Sequence, residues 1–308
     1  MLHKSVLLKE SIENLNIKDN GIYIDATLGY AGHSSEILKK IPNGYLYAFD
    51  QDDYAVQYSK DYLSKISANF TVIKNNFSNI TKELNKYNIT KVDGILFDLG
   101  VSSVQLDNAD RGFSFHNDAK LDMRMDTNQS FSAYNVVNEY SYKDLIRILR
   151  DYGEEKYATG IAKNIIKYRE TKPIETTLEL VDIIKSSMPM KAMRNSHPAR
   201  KSFQAIRIEV NRELEVLETA LEQSIQLLNK GGRLCVITFQ SLEDKIVKRI
   251  FKKYSEIDPK IKNLPYIPEE YLPILKIINK GITASNKELE DNYRAHSARL
   301  RVVEKMRD

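Results

Sequence analysis

The first hundred residues alternate short apolar runs with stretches of helical periodicity, a pattern that commits a chain to a parallel sheet covered by crossover helices. Strands are predicted over 22–26, 45–50, 70–75 and 92–98, with helices over 34–41, 53–66 and 79–87 between them. Each connection suits a right-handed crossover. From about residue 116 to 200 the strand signal is lost, and helices are predicted over 142–152, 154–167 and 178–186. Phe203, Ile206, Val210, Leu214, Leu217, Leu221, Ile225 and Leu228 then recur every three or four residues, which predicts one helix of about seven turns ended by Gly231-Gly232. A buried strand over 233–239, a helix capped by Ser241 and running to about Tyr254, and a final strand over 298–305 resume the sheet. Pro259, Pro265, Pro268 and Pro273 predict a mostly irregular segment between these last elements. The fold class is therefore α/β, a Rossmann-like sheet in two parts (1–115 and 203–308) split by an all-helical insertion (116–202) that is expected to recognise substrate.

With 308 residues, 42% of them hydrophobic, the chain is long enough for one large domain or for a domain plus a smaller one. No apolar run approaches the ~20 residues of a membrane span, and the amino end has no secretory apolar segment, so a cytoplasmic protein without a membrane partner is expected. A single cysteine, Cys235, rules out an internal disulfide framework, and five scattered histidines offer no metal spacing; no metal is expected. A formal charge of +4 does not by itself indicate nucleic-acid binding, so the positions of the basic residues decide. The chain is compatible with self-association.

The first strand runs into Asp25-Ala26-Thr27-Leu28-Gly29-Tyr30-Ala31-Gly32-His33-Ser34, a glycine-bearing turn that opens a helix and so presents free N–H groups to an anionic ligand. The second strand ends in Asp50, about 20 residues on, where an acid can accept both hydroxyls of a ribose. Dinucleotides and S-adenosylmethionine both use such an acid. Gly29 and Gly32 alone do not supply the G-x-G-x-x-G spacing of a pyrophosphate site, which favours the sulfonium cofactor. Phe77, after the third strand, is either a ring over the adenine or a loop aromatic closing the core. Asp98, ending the fourth strand, adds a carboxylate at the edge where open α/β sheets bind ligands, and an anionic rim suits a cationic sulfur.

These motifs, in order, resemble the ribosomal RNA small subunit methyltransferase H family, also called MraW. The likeness runs from HKSVLL at His3 through DATLGYAGHS at Asp25, DGILFDLGVSSVQLD at Asp93, ADRGFSF at Ala109 and LDMRMD at Leu121. It continues through HPARKSFQAIRIEVNRELE at His197, GGRLCVITFQSLEDKIVK at Gly231 and NYRAHSARLRVVE at Asn292. The resemblance implies a class I methyltransferase sheet with a helical insertion, and N4-methylation of a cytosine in the decoding region of 16S-type rRNA of the small ribosomal subunit. It implies S-adenosylmethionine held at Ala31, Gly32, His33, Asp50, Phe77, Asp98 and Gln105. Ser5, Ala31, Ala119-Lys120, Gln240 and Tyr293 depart from the family pattern, where Pro, Gly, Gly-Pro, His and Pro are usual. Ala31 is tolerable there if it keeps a negative φ. Gln240 is expected to form hydrogen bonds rather than to transfer a proton.

Carbon-5 methylation of cytosine needs a thiolate, and Cys235 lies in a predicted buried strand. An exocyclic amine needs only alignment and hydrogen-bond acceptors, which Asp98 and the loop 99–103 are placed to provide. Asp98 is read as the catalytic acceptor for the amine, as the anchor of the methionine moiety, or as a loop cap; Asp25 as a brace of the turn. Six Lys or Arg (Lys191, Arg194, Arg200, Lys201, Arg207, Arg212) face one acid, Glu209, between Met188 and Arg212, and Arg294, Arg299 and Arg301 form a second basic group with Tyr293 and His296 interleaved. Each group is either a solvated face or an RNA contact, with Arg200, Lys201, Arg294 and Arg299 taken as the RNA-binding residues. Arg207 and Arg212 have the alternative of pairing with acids along the long helix. Arg111, Phe113, Phe115, Arg124 and Asp126 are placed at the junction of sheet and insertion, where a splayed cytosine would enter, the aromatics alternatively packing the hinge. Two rival readings are a nicotinamide-dependent oxidoreductase and a non-catalytic RNA-binding ribosome assembly factor that retains the fold.

Overall fold

A computed structural model describes residues 4–102, 105–106, 108–194 and 197–307; His3, Ser103 and other masked motif positions lie outside them. The chain divides into two compact units, Met1–Gly100 with Leu214–Asp308, and Val101–Glu213.

The first unit is a seven-stranded sheet in the order β3-β2-β1-β4-β5-β7-β6. Its strands are β1 (Ile22–Asp25), β2 (Tyr45–Asp50), β3 (Phe70–Lys74), β4 (Val92–Asp98), β5 (Leu228–Thr238), β6 (Leu275–Ile282) and β7 (Arg299–Lys305). The first five pair in parallel, and β7 inserts antiparallel between β5 and β6. Strand residues alternate between two buried faces. Tyr47, Phe49, Ile95, Phe97, Leu234 and Val236 enter one core, and Leu46, Ala48, Leu96, Cys235 and Ile237 the other. Burial on both faces is why these segments read as nearly continuous apolar runs. The second core is closed by α1 (Leu8–Asn14) and α2 (Gly32–Lys40), and by Leu63 at the end of α3 (Asp53–Leu63).

The second unit holds α4 (Ala133–Glu139), α5 (Tyr142–Asp151), α6 (Ala158–Arg169), α7 (Thr177–Ser186) and α8 (Arg200–Asn211). Its core gathers Val136, Leu145, Ile148, Ile161, Ile165, Leu180, Ile184, Phe203 and Ile206.

Several expectations change. The helix of about seven turns is two helices, α8 and α9 (Glu213–Leu227), because Arg212 takes a left-handed conformation at φ 50°. The stripe therefore serves two cores: Phe203, Ile206 and Val210 pack in the helical unit, and Leu217, Leu221, Ile225 and Leu228 in the sheet unit. The insertion consequently runs over 101–213 rather than 116–202, since Phe113 and its neighbours before 116 also belong to the helical core. Gly231-Gly232 does not end a helix. The helix stops at Leu227 and the glycines lie inside β5, where Gly231 at φ 80° accompanies a register irregularity against β4. The segment expected to be irregular contains β6, whose pairing with β7 shifts register twice and hides its alternation. The helix after β5, α10 (Ser241–Ser255), is capped by Gln240 rather than Ser241. Among the described residues no helix is long and apolar enough to cross a membrane.

Candidate cofactor site and basic surfaces

Three parallel strands of the sheet unit end in an aspartate: β1 in Asp25, β2 in Asp50 and β4 in Asp98. Parallel strands deliver their carboxyl ends to one edge, so strand length alone gathers these acids beside the turn between β1 and α2.

Asp50 is fixed by main-chain donors. Gly29 N–H reaches its Oδ2 at 2.9 Å and Asp52 N–H its Oδ1 at 2.9 Å, leaving a lone pair on each oxygen for further donors such as ribose hydroxyls. Burial pushes its carboxyl up to about 6, opposed by those two N–H donors. The turn is anchored on its other side by Ser59 of α3, whose hydroxyl donates to the Gly29 carbonyl at 2.7 Å. Gly29 (φ 49°) and Ala31 (φ 60°) are both left-handed. The condition set for Ala31, a negative φ, is thus not met. A left-handed L-residue costs roughly 1–2 kcal/mol, and full burial of the Ala31 methyl in the sheet core offsets part of that. A Cβ on Gly32 would sit 1.9 Å from Ser5 Oγ, so any side chain there would require the Ser5 hydroxyl to move. Tyr30 turns its ring edge-on to Tyr58 of α3 at 5.0 Å.

Beneath the turn, Asp25 is buried and receives Ser34 Oγ at 2.7 Å and Thr27 N–H at 3.1 Å. The brace reading of Asp25 is what the geometry supports. Asp98 has a different environment. Its Oδ1 is enclosed and meets no hydrogen-bond donor among the described residues, while Oδ2 lies 3.7 Å from Nδ1 of the buried His33. Burial, then the neighbouring charges of Asp25 and Glu243, hold its carboxyl well above the ordinary range. A buried acceptor left without a donor costs free energy that a cationic or hydrogen-bonding ligand recovers. This rim, a carboxylate basin beside a left-handed glycine turn, fits a sulfonium cofactor.

Phe77 follows β3, held beside the end of β2 by Asn75 N–H on the Asp50 carbonyl (3.0 Å) and by Asn76 on Gln51 (3.0 Å). Its ring meets Phe97 edge-on at 5.4 Å and stays partly exposed, so it packs on the core with surface to spare for a second ring. Ala31, Gly32, His33, Asp50, Phe77 and Asp98 all belong to the sheet unit. Gln105 belongs to the helical unit, where it is buried and closes a turn with Ser102 (3.2 and 3.3 Å).

Sequence reasoning missed Thr27 and Glu243 and undervalued Ser34. Glu243 accepts from Phe239 N–H at 2.8 Å, Gln240 N–H at 3.2 Å and Gln240 Nε2 at 3.1 Å, so Gln240 works in a helix-capping box. The signal was a glutamate three residues after a polar residue at a strand end.

Of the basic residues, Arg200 and Lys201 lie exposed in the first turn of α8, Lys201 donating to the Glu154 carbonyl at 2.9 Å. Nearby, Phe115 stacks on His197 at 4.4 Å. In the sheet unit Arg294 and Arg299 are exposed, beside Tyr293, which is 83% exposed and 4.9 Å from His296. Arg301 leaves the second basic group: it is buried and bound to Asp244 at 2.6 and 3.1 Å. Arg207 pairs with Glu213. Arg111 donates to the carbonyls of Arg124 and Met125, and Arg124 grips Asp122, so both brace the helical unit, while Phe113 and Phe115 pack in or against its core.

Such a sheet order, with an antiparallel seventh strand and this carboxylate rim, defines a methyltransferase that uses S-adenosylmethionine. Residues 1–306 match the model of the MraW methylase family, and the chain belongs to that family. It is 55% identical over 308 residues, 99% of each chain, to the ribosomal RNA small subunit methyltransferase H of Exiguobacterium sibiricum. It is 53% identical over 307 residues, 98% of this chain and 99% of the relative, to the protein of that name in Mesoplasma florum.

Proposed function

We infer that the chain transfers the methyl group of S-adenosylmethionine to the exocyclic N4 of a cytosine in the decoding region of 16S-type rRNA, acting in the cytoplasm on the small ribosomal subunit. The observation that carries the chemistry is the Asp98 carboxylate, enclosed at Oδ1 without a donor among the described residues and raised by burial and by the charges of Asp25 and Glu243. Asp50 receives the ribose hydroxyls, Phe77 covers the adenine, and Ala31, Gly32 and His33 line the methionine end. The bound cofactor supplies an electrophilic methyl carbon.

The chain's own residues align and accept. Asp98 carries the charge that faces the donor or takes a hydrogen bond from the amine, drawing the nitrogen lone pair out of conjugation with the ring. A thiolate route through carbon 5 is disfavoured because Cys235 is fully buried and burial pushes its thiol up to about 12. Arg200, Lys201, Arg294 and Arg299 are exposed cations suited to RNA phosphates. Incubating small subunits from cells lacking the protein with methyl-labelled S-adenosylmethionine tests the reading: label on a cytosine N4 supports it. Unlabelled subunits, with cofactor still bound, would favour a non-catalytic assembly factor.

A further inference from the structure

Asp98 can act only if its carboxylate is held in place, and the sheet ends at that point. The Ala26 N–H still donates to the Leu96 carbonyl at 2.8 Å, a main-chain rung between the first and fourth strands. One rung further the backbone of β1 has turned away into the glycine turn, and the Asp98 N–H donates instead to Thr27 Oγ1 at 2.6 Å. The Thr27 side chain thus replaces the carbonyl that the departing strand no longer offers. On the other side of β4 the ladder continues, with Leu99 N–H on the Ile237 carbonyl at 3.1 Å.

The direction of these bonds is fixed by donor count. An N–H can only donate, so Thr27 Oγ1 accepts from Asp98, and its single hydrogen is directed elsewhere. Asp25 accepts from the Thr27 N–H at 3.1 Å and from Ser34 Oγ at 2.7 Å, so its carboxylate fixes the stretch of main chain that carries Thr27. Asp25 is 1% exposed, so this brace is shielded from competing water. Asp25 grips Thr27, and Thr27 grips the residue that bears the working carboxylate.

We propose that Thr27 is a positioning residue for methyl transfer, its N–H held by Asp25 and its hydroxyl holding the backbone of Asp98, so that it sets where the Asp98 carboxylate points. The inference rests on the reading of Asp98 given above. Angular error at an aligned amine and sulfonium is costly, and a displacement of about 1 Å lowers rates on the order of a hundredfold. Valine at 27 keeps the shape and removes that hydroxyl.

The test uses the full chain with small ribosomal subunits at saturating cofactor, and measures the single-turnover rate of methyl transfer beside cofactor affinity and thermal unfolding. Thr27→Val is expected to slow transfer on the order of 10–100-fold in protein that is still folded. Thr27→Ser, which keeps the hydroxyl, is expected to restore the wild-type rate. A merely structural threonine would lower the unfolding temperature without changing the saturated rate of the folded fraction. The double variant Thr27→Val with Asp98→Asn is expected to be no slower than Asp98→Asn alone, since both act through one carboxylate.

Two failures are distinguishable. A normal rate for Asp98→Asn overturns the assignment of Asp98 and this inference with it. A slow Asp98→Asn beside a normal Thr27→Val overturns the inference alone. Should Thr27→Val not fold, a Thr27→Ser variant as slow as Asp98→Asn would also overturn it, and a wild-type Thr27→Ser beside a slow Thr27→Ala would support it.

Discussion

Arg207 holds Glu213 with two nitrogens, Nε at 2.7 Å and Nη2 at 2.8 Å, across the left-handed Arg212 where one apolar stripe becomes two helices. Both side chains are mostly buried, at 17% and 11% exposure. A paired guanidinium fork here offsets the desolvation of two charges. Removing one partner leaves the other stranded.

Arg207→Ala is therefore expected to destabilise the protein by roughly 2–4 kcal/mol, read from denaturant unfolding. A change within experimental scatter would mean the pair is solvated in practice.

Gly112 stands left-handed at φ 69°, and a Cβ on it would meet the Lys120 carbonyl oxygen at 2.4 Å and the Asp122 nitrogen at 2.9 Å. Neither main-chain atom can swing aside. Gly112→Ala is expected to lower stability on the order of 1–3 kcal/mol from backbone strain alone, with the clash added, and to show it in the thermal midpoint.

The carboxylate basin makes both stability and binding depend on pH. Asp50 is raised to about 6, and Asp25 and Asp98 are raised too. Between the unfolded and folded values the folded chain holds more protons, so stability falls as pH rises from about 4 through about 6. Asp50→Asn is expected to flatten that decline in denaturant melts. With Asp98 in its proposed role, cofactor binding is expected to have the opposite slope, because a cation prefers the ionised carboxylate. Affinity for S-adenosylmethionine should rise with pH in calorimetric titrations, and the rise should shrink in Asp98→Asn.

Arg200 and Lys201 are exposed in the first turn of α8. Changing both to Ala is expected to weaken binding to small subunits and to reduce the salt dependence of that binding, with cofactor affinity unchanged. Equal binding by variant and wild type across several salt concentrations would remove these residues from the RNA face.

Much of the sheet could be read before the structure. Strands 45–50 and 92–98 fall where alternation and apolar content put them, because burial on both faces leaves a strong signal. Asp50 and Asp98 were legible as strand-terminal acids beside a glycine turn, and Asp25 as a brace of that turn. The break at Arg212 was not, since the apolar spacing passes through it without interruption and nothing in a periodicity separates two cores. β6 was lost to its two register shifts, which erase the alternation on which a strand is recognised. Thr27 was invisible for another reason: its role is set by where β1 leaves the sheet relative to β4, a fact of pairing rather than of local sequence. The left-handed turn at Ala31 was not legible, because the full burial of its methyl that favours it is a tertiary contact.

The central claim, methyl transfer to an exocyclic amine by alignment rather than through a covalent thiol adduct, is tested most directly with Cys235→Ala. The side chain is inaccessible and its thiol is pushed up to about 12, so the variant should lose only on the order of 1 kcal/mol of stability. Nucleoside analysis of small-subunit rRNA after incubation with the variant and methyl-labelled cofactor should find N4-methylcytidine at the wild-type rate. Label on carbon 5 of the base, lost when Cys235 is replaced, would contradict the account.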